Sequence, residues 1–60
     1  MEYTKGDRVS SVGGFFTEGT VENVEMENDM EILTIRWLKD TRKGDIDFVQ
    51  RRASSIVRRL

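Results

Sequence analysis

The run Glu31–Leu38, EILTIRWL, constrains this chain more than any other feature. Leu33, Ile35 and Trp37 recur at period two, with Thr34 and Arg36 between them and Ile32 and Leu38 at the ends. β-Branched and aromatic residues in alternation specify a half-buried strand. The run holds most of the large apolar residues available to a core, so the other segments are placed around it. A chain of 60 residues supports one domain. Such a domain buries only about 60% of its unfolded surface, which leaves a small stability margin.

The chain reads as five short strands. Met1–Thr4 is expected to be a frayed or edge segment, and Lys5-Gly6-Asp7 a turn. Arg8-Val9-Ser10 begins the first strand, with Val12 as a last inward contact before Gly13-Gly14, a turn or flexible loop. Phe15 and Phe16 follow side by side, so an extended backbone points one inward and the other outward. Gly19–Val24 is the second strand. Val21 and Val24 are out of phase there, and a bulge near Glu22-Asn23 would turn both inward. Glu25–Met30 is read as a polar hairpin tip with Asn28-Asp29 at its turn. Lys39–Gly44 is the next turn, and Asp45–Gln50 the fourth strand, with Ile46 and Phe48 on one face. Arg51–Ser55 is a connector with a 3₁₀ turn, and Ile56–Leu60 the last strand. A helix over 46–60 competes, because Ile46, Val49, Ala53, Ile56, Val57 and Leu60 form an apolar stripe. The strand reading is preferred. The expected core is Val21, Leu33, Ile35, Ile46 and Val57, with Phe48 close by.

Composition narrows the chemistry. The chain has neither cysteine nor histidine. Disulfides, thiolate metal sites and nucleophile–histidine constellations are therefore out of reach. The pairs Asp45/Asp47 and Glu25/Glu27 share a strand face as hydrolytic dyads do, but a solvated face accounts for them better. Gly13-Gly14 lacks the Gly-Lys-Ser/Thr continuation of a phosphate loop. The expectation is a non-enzyme with no metal and no cofactor. No apolar run approaches the roughly 20 residues of a membrane helix, and the opening MEYTKGD is too polar for a signal peptide. A cytoplasmic chain with no membrane partner is expected.

Charge is distributed unevenly. Residues 1–50 carry all eleven acids and a net of −5, whereas residues 51–60 carry four arginines and a net of +4. Glu18–Glu31 holds acids and no base. Two surfaces follow. An acidic hairpin with adaptable methionines, together with the paired aromatics, suits a protein partner: Phe15, Phe16, Glu25, Met26, Glu27 and Asp29. A basic surface made of Arg42, Lys43, Arg51, Arg52, Arg58 and Arg59 suits the phosphates of DNA or RNA. Aromatic residues are not interleaved with these bases, and the acidic hairpin repels phosphate, which ranks nucleic acid second. The arginines can instead pair with the hairpin.

Gly6, Asp7 and Val9, then Gly19 and Val21, then Ile35, Trp37 and Asp40, then Ile56 and Leu60 together resemble the SH3-like small barrels, most nearly their Tudor-type and KOW-type members. The resemblance spans nearly the whole chain and implies an all-β, five-stranded, SH3-like (Tudor-like) barrel with a 3₁₀ turn before the last strand. Tudor-type domains often hold methylated lysine or arginine in an aromatic cage, for which Phe15 or Phe16, Trp37, Phe48 and Asp40 are the corresponding positions. Thr41 stands where a cage tyrosine usually follows. The Gly-Asp-Arg-Val opening is also similar to plasmid-borne type II dihydrofolate reductases. Their Val-Gln-Ile-Tyr strand corresponds here to Phe48-Val49-Gln50-Arg51, without the isoleucine and tyrosine, so the activity is not carried over. The expected function is a binding module: a small adaptor or regulator that contacts protein within nucleic-acid machinery, as a monomer or weak homodimer. Direct DNA or RNA binding is the alternative. A chain of this size beginning at Met1 resembles bacterial, phage or plasmid accessory proteins.

Overall fold

The computed structural model describes residues 2–12, 18–39 and 46–60. The alternating run becomes half of a long hairpin. Five strands are present among these residues: β1 (Arg8–Ser11), β2 (Glu18–Glu27), β3 (Met30–Lys39), β4 (Ile46–Ala53) and β5 (Val57–Arg59). A single 3₁₀ turn, Ser54–Ile56, separates β4 from β5. The strands form one antiparallel sheet in the order β4-β3-β2-β1-β5.

Asn28 and Asp29 join β2 to β3 with φ of 51° and 63°. A two-residue hairpin loop with positive φ at both positions matches the right-handed twist of its strands, and Asn and Asp tolerate that conformation best after Gly. The expected bulge is present. Val21 pairs with Ile35 and Asn23 with Thr34, which leaves Glu22 as the extra residue. The phase change turns Val21 inward and lets Val24 pack against the same core.

Three local expectations are corrected. Residues 25–27 and 30 are strand, so the turn shrinks to Asn28-Asp29. Arg51–Ala53 is strand and not connector, because those residues pair with Thr34, Leu33 and Ile32 of β3. The 3₁₀ turn accordingly falls at Ser54–Ile56, and the helical alternative for 46–60 does not occur. The N-terminus is not frayed at Tyr3. That side chain is buried, and its backbone N–H donates to Glu31 Oε2 at 2.9 Å.

The core lies on the inner face of the sheet: Tyr3, Val9, Val21, Leu33, Ile35, Trp37 and Val57. Val21, Leu33, Ile35 and Val57 are the expected members. The side chains of Ile46 and Phe48 lie outside the described residues. Gly19 sits opposite Trp37 in the β2–β3 ladder and is buried beneath it. A Cβ there would stand 2.5 Å from the indole Cε3 and 2.7 Å from Ile35 Cγ2. Only glycine lets the large ring lie flat on the sheet at this point.

β4 and β5 stand at opposite edges, and no ladder joins them among the described residues, so the sheet is not closed. Among the described residues no helix is long and apolar enough to cross a membrane.

Candidate functional site

The gap between the two edge strands is a cleft of about 470 Å³, within the range of ligand-sized sites. Trp37 of β3 is its floor. Gln50 and Arg52 of β4 form one wall; Ser11, Val12, Ile56 and Val57 form the other. Period two explains the first wall. Gln50 and Arg52 pair with Ile35 and Leu33, whose side chains face the core, so both project from the inner face. The second wall is pinned by the Val12 backbone N–H, which donates to the Ile56 carbonyl at 3.2 Å.

The floor is fixed as well. Trp37 Nε1–H donates to Gln50 Oε1 at 3.0 Å, which satisfies the indole and holds the Gln50 amide at the cleft wall. Val12 and Ile56, 55% and 47% exposed, flank the same cavity and together give it an open apolar wall. Arg52 is exposed and has no hydrogen bond or ion pair among the described residues.

The sequence-predicted residues are dispersed. Glu25 and Glu27 lie two apart on the outer face, and both accept from Arg51 Nη2, at 3.0 and 2.7 Å. The Glu27 hydrogen bond and the charge of Glu25 raise the pKa of Arg51. The acidic hairpin therefore spends part of its charge internally. Met26 pairs with Glu31 and Met30 with Glu27, so the two methionines occupy opposite faces, each about half exposed. Asp29 is exposed at the turn. Phe15, Phe16, Asp40, Arg42 and Lys43 lie outside the described residues.

Among the described residues the arginines do not form one surface. Arg51 and Arg52 are adjacent in a strand and face opposite sides. Arg58 pairs with Ser10 in the β1–β5 ladder and is exposed. Arg59 is committed to the N-terminal segment. Its guanidinium lies 4.6 Å from the Tyr3 ring centre, donates to the Glu2 carbonyl, and reaches Asp7 Oδ2 at 3.2 Å. Asp7 is held below its ordinary pKa of 3.8, chiefly by the Thr4 backbone N–H and further by Arg59. Glu31 is held below 4.5, chiefly by the Tyr3 backbone N–H. Elsewhere on the outer face Arg8 pairs with Glu18, and Arg36 with Glu22.

Trp37 is 1% exposed, so this cage position is core, with the indole as a cavity floor rather than a free wall. Sequence reasoning missed Gln50 and Arg52 as a pair. Continuing the period of β4 past Gln50 would have found them, since 50 and 52 share a face. Among the described residues no group of three or more acidic, histidine or cysteine side chains is placed to hold a metal ion.

Comparison with protein-family models, with curated proteins and with solved structures finds no match in any of the three. The class is therefore defined by architecture: a small all-β chain built on one open, five-stranded antiparallel sheet.

Proposed function

We propose that the protein is a non-enzymatic binding module of SH3-like, Tudor-resembling architecture, an adaptor or regulator that docks a protein partner in the cleft over Trp37. The strand order, with a 3₁₀ turn leading into a last strand that pairs with the first, supports the barrel reading. The observation that carries the functional reading is the pairing of a ligand-sized cleft with two exposed apolar walls, Val12 and Ile56. Phe15 and Phe16 remain part of the proposed protein-binding surface on their residue type alone. Nucleic-acid binding is less well supported, because Arg51 and Arg59 are engaged internally and Arg51 and Arg52 face opposite ways. The test is affinity capture from lysate by the wild-type and Ile56→Ser proteins, with and without nuclease. A partner retained after nuclease and lost with Ile56→Ser is the expected result. Capture that disappears on nuclease treatment transfers the function to DNA or RNA.

A further inference from the structure

The cleft carries an asymmetry that an apolar docking site does not need. Every other arginine of the described residues except Arg58 is tied to an acid: Arg8 to Glu18, Arg36 to Glu22, Arg51 to Glu25 and Glu27, Arg59 to Asp7. Arg52 is the unpaired one at the cleft, on a wall that also presents the Gln50 amide. With its Oε1 engaged by the indole, Gln50 retains its NH₂ as a donor. A guanidinium and an amide donor beside an apolar floor are complementary to a carboxylate carried next to an apolar side chain.

We infer that Arg52 and Gln50 make the cleft selective for an acidic peptide segment, in which an apolar side chain enters over Trp37 and a neighbouring carboxylate meets the Arg52 guanidinium. This rests on the reading of the cleft as a protein-docking site. The partner's remaining residues lie along the exposed Val12 and Ile56 wall. The acids of this chain's own hairpin do not occupy the site, because Glu25 and Glu27 face the opposite side and hold Arg51.

Trp37 is the chain's sole tryptophan and forms the cleft floor, so its fluorescence reads occupancy directly. The probes are three blocked peptides of alternating sequence: leucine with glutamate, leucine with glutamine, and leucine with lysine. The leucine–glutamate peptide is expected to bind the wild type, more weakly as salt rises. Arg52→Gln should weaken it roughly tenfold or more, the scale of a lost charge-assisted hydrogen bond. Arg58→Gln, which removes an equal charge from outside the cleft, should change little. Equal binding of the glutamate and glutamine peptides, lost with Ile56→Ser, overturns the charge selectivity and leaves the docking reading standing. Arg52→Gln and Arg58→Gln weakening the peptide alike reduces the effect to general charge and overturns the inference. So does the absence of any fluorescence change with all three peptides; the docking reading is then decided by the capture experiment alone. Coincident thermal melts of the wild type and Arg52→Gln exclude a folding artefact.

Discussion

Two arginines on the inner face of this sheet divide it into a locked corner and an open cleft. Arg59, in register with Val9, spends its charge on the Tyr3 ring, the Glu2 carbonyl and Asp7. Arg52, in register with Leu33, spends none among the described residues. The residue type and the face are the same. The difference lies in what the rest of the chain supplies: the N-terminal segment brings a ring, a carbonyl and a carboxylate to one, and nothing to the other. Paired polar groups hold a small fold together; a solvated one beside an apolar cavity, with no partner among the described residues, is available to something else.

The comparison breaks most visibly at Tyr3. Truncating a buried aromatic costs about 3 kcal/mol or more. A domain of this length holds only roughly 3–9 kcal/mol in all. Tyr3→Ala should therefore lower the denaturant midpoint drastically, whereas Val12→Ala in the open cleft should stay within about 0.5 kcal/mol of wild type. If the two variants unfold together, the corner is not locked.

Gly19→Ala probes the floor that both regions share. The added methyl meets the Trp37 ring and Ile35, and overpacking of that kind costs about 1–3 kcal/mol. The indole should also lose its fixed environment, seen as altered near-ultraviolet dichroism. An unperturbed Trp37 spectrum with full stability would mean that the ring does not lie on Gly19.

Exchanging each arginine for glutamine sharpens the contrast directly. Arg59→Gln removes a cation–π contact worth about 0.5–1 kcal/mol at an exposed site. Arg52→Gln should be stability-neutral within about 0.5 kcal/mol, with its effect confined to ligand affinity. Equal losses in urea melts would erase the distinction between them.

The smallest effect is on acid stability. Asp7 and Glu31 both have folded pKa values below their ordinary 3.8 and 4.5. Their contribution is thus fully present above those values and is lost as pH falls through the lower folded ones. Melting temperature should decline in that acidic window, and Asp7→Asn together with Glu31→Gln should flatten the decline. A decline of the same size in the double variant would assign it to other carboxylates.

Much of this was readable from residue order because its causes are local. Alternation marked β3, Asn28-Asp29 marked the turn, and the one-residue mismatch between Val21 and Val24 marked the bulge. Tyr3 was missed because its polar neighbours suggest a loose end, and its ties to Glu31 and Arg59 come from distant parts of the chain. Arg51 and Arg52 were read as connector because two charges look solvated; the ladder to β3 makes them strand and sends them to opposite faces. The cleft needed the third dimension, since its walls come from both ends of the sequence.

The bulge at Glu22 has a consequence for how this hairpin can evolve. Everything distal to it, from Asn23 to Asp29, keeps its facing because that one supernumerary residue stays out of the pairing. Deleting Glu22 would keep every pairing and leave Val21 and Val24 both inward in a regular ladder, whereas pairing Glu22 itself with Thr34 would send Val24 outward and Glu25 and Glu27 toward the core. Beyond the bulge the tight turn must close on a pair of the same hydrogen-bonding type, and such pairs alternate along an antiparallel ladder. The arm can therefore lengthen or shorten only in steps of about four residues, two on each strand. Genetic drift in this segment is quantised, and descendants of this sequence are expected to differ in hairpin length by those increments, with or without the extra residue at its base.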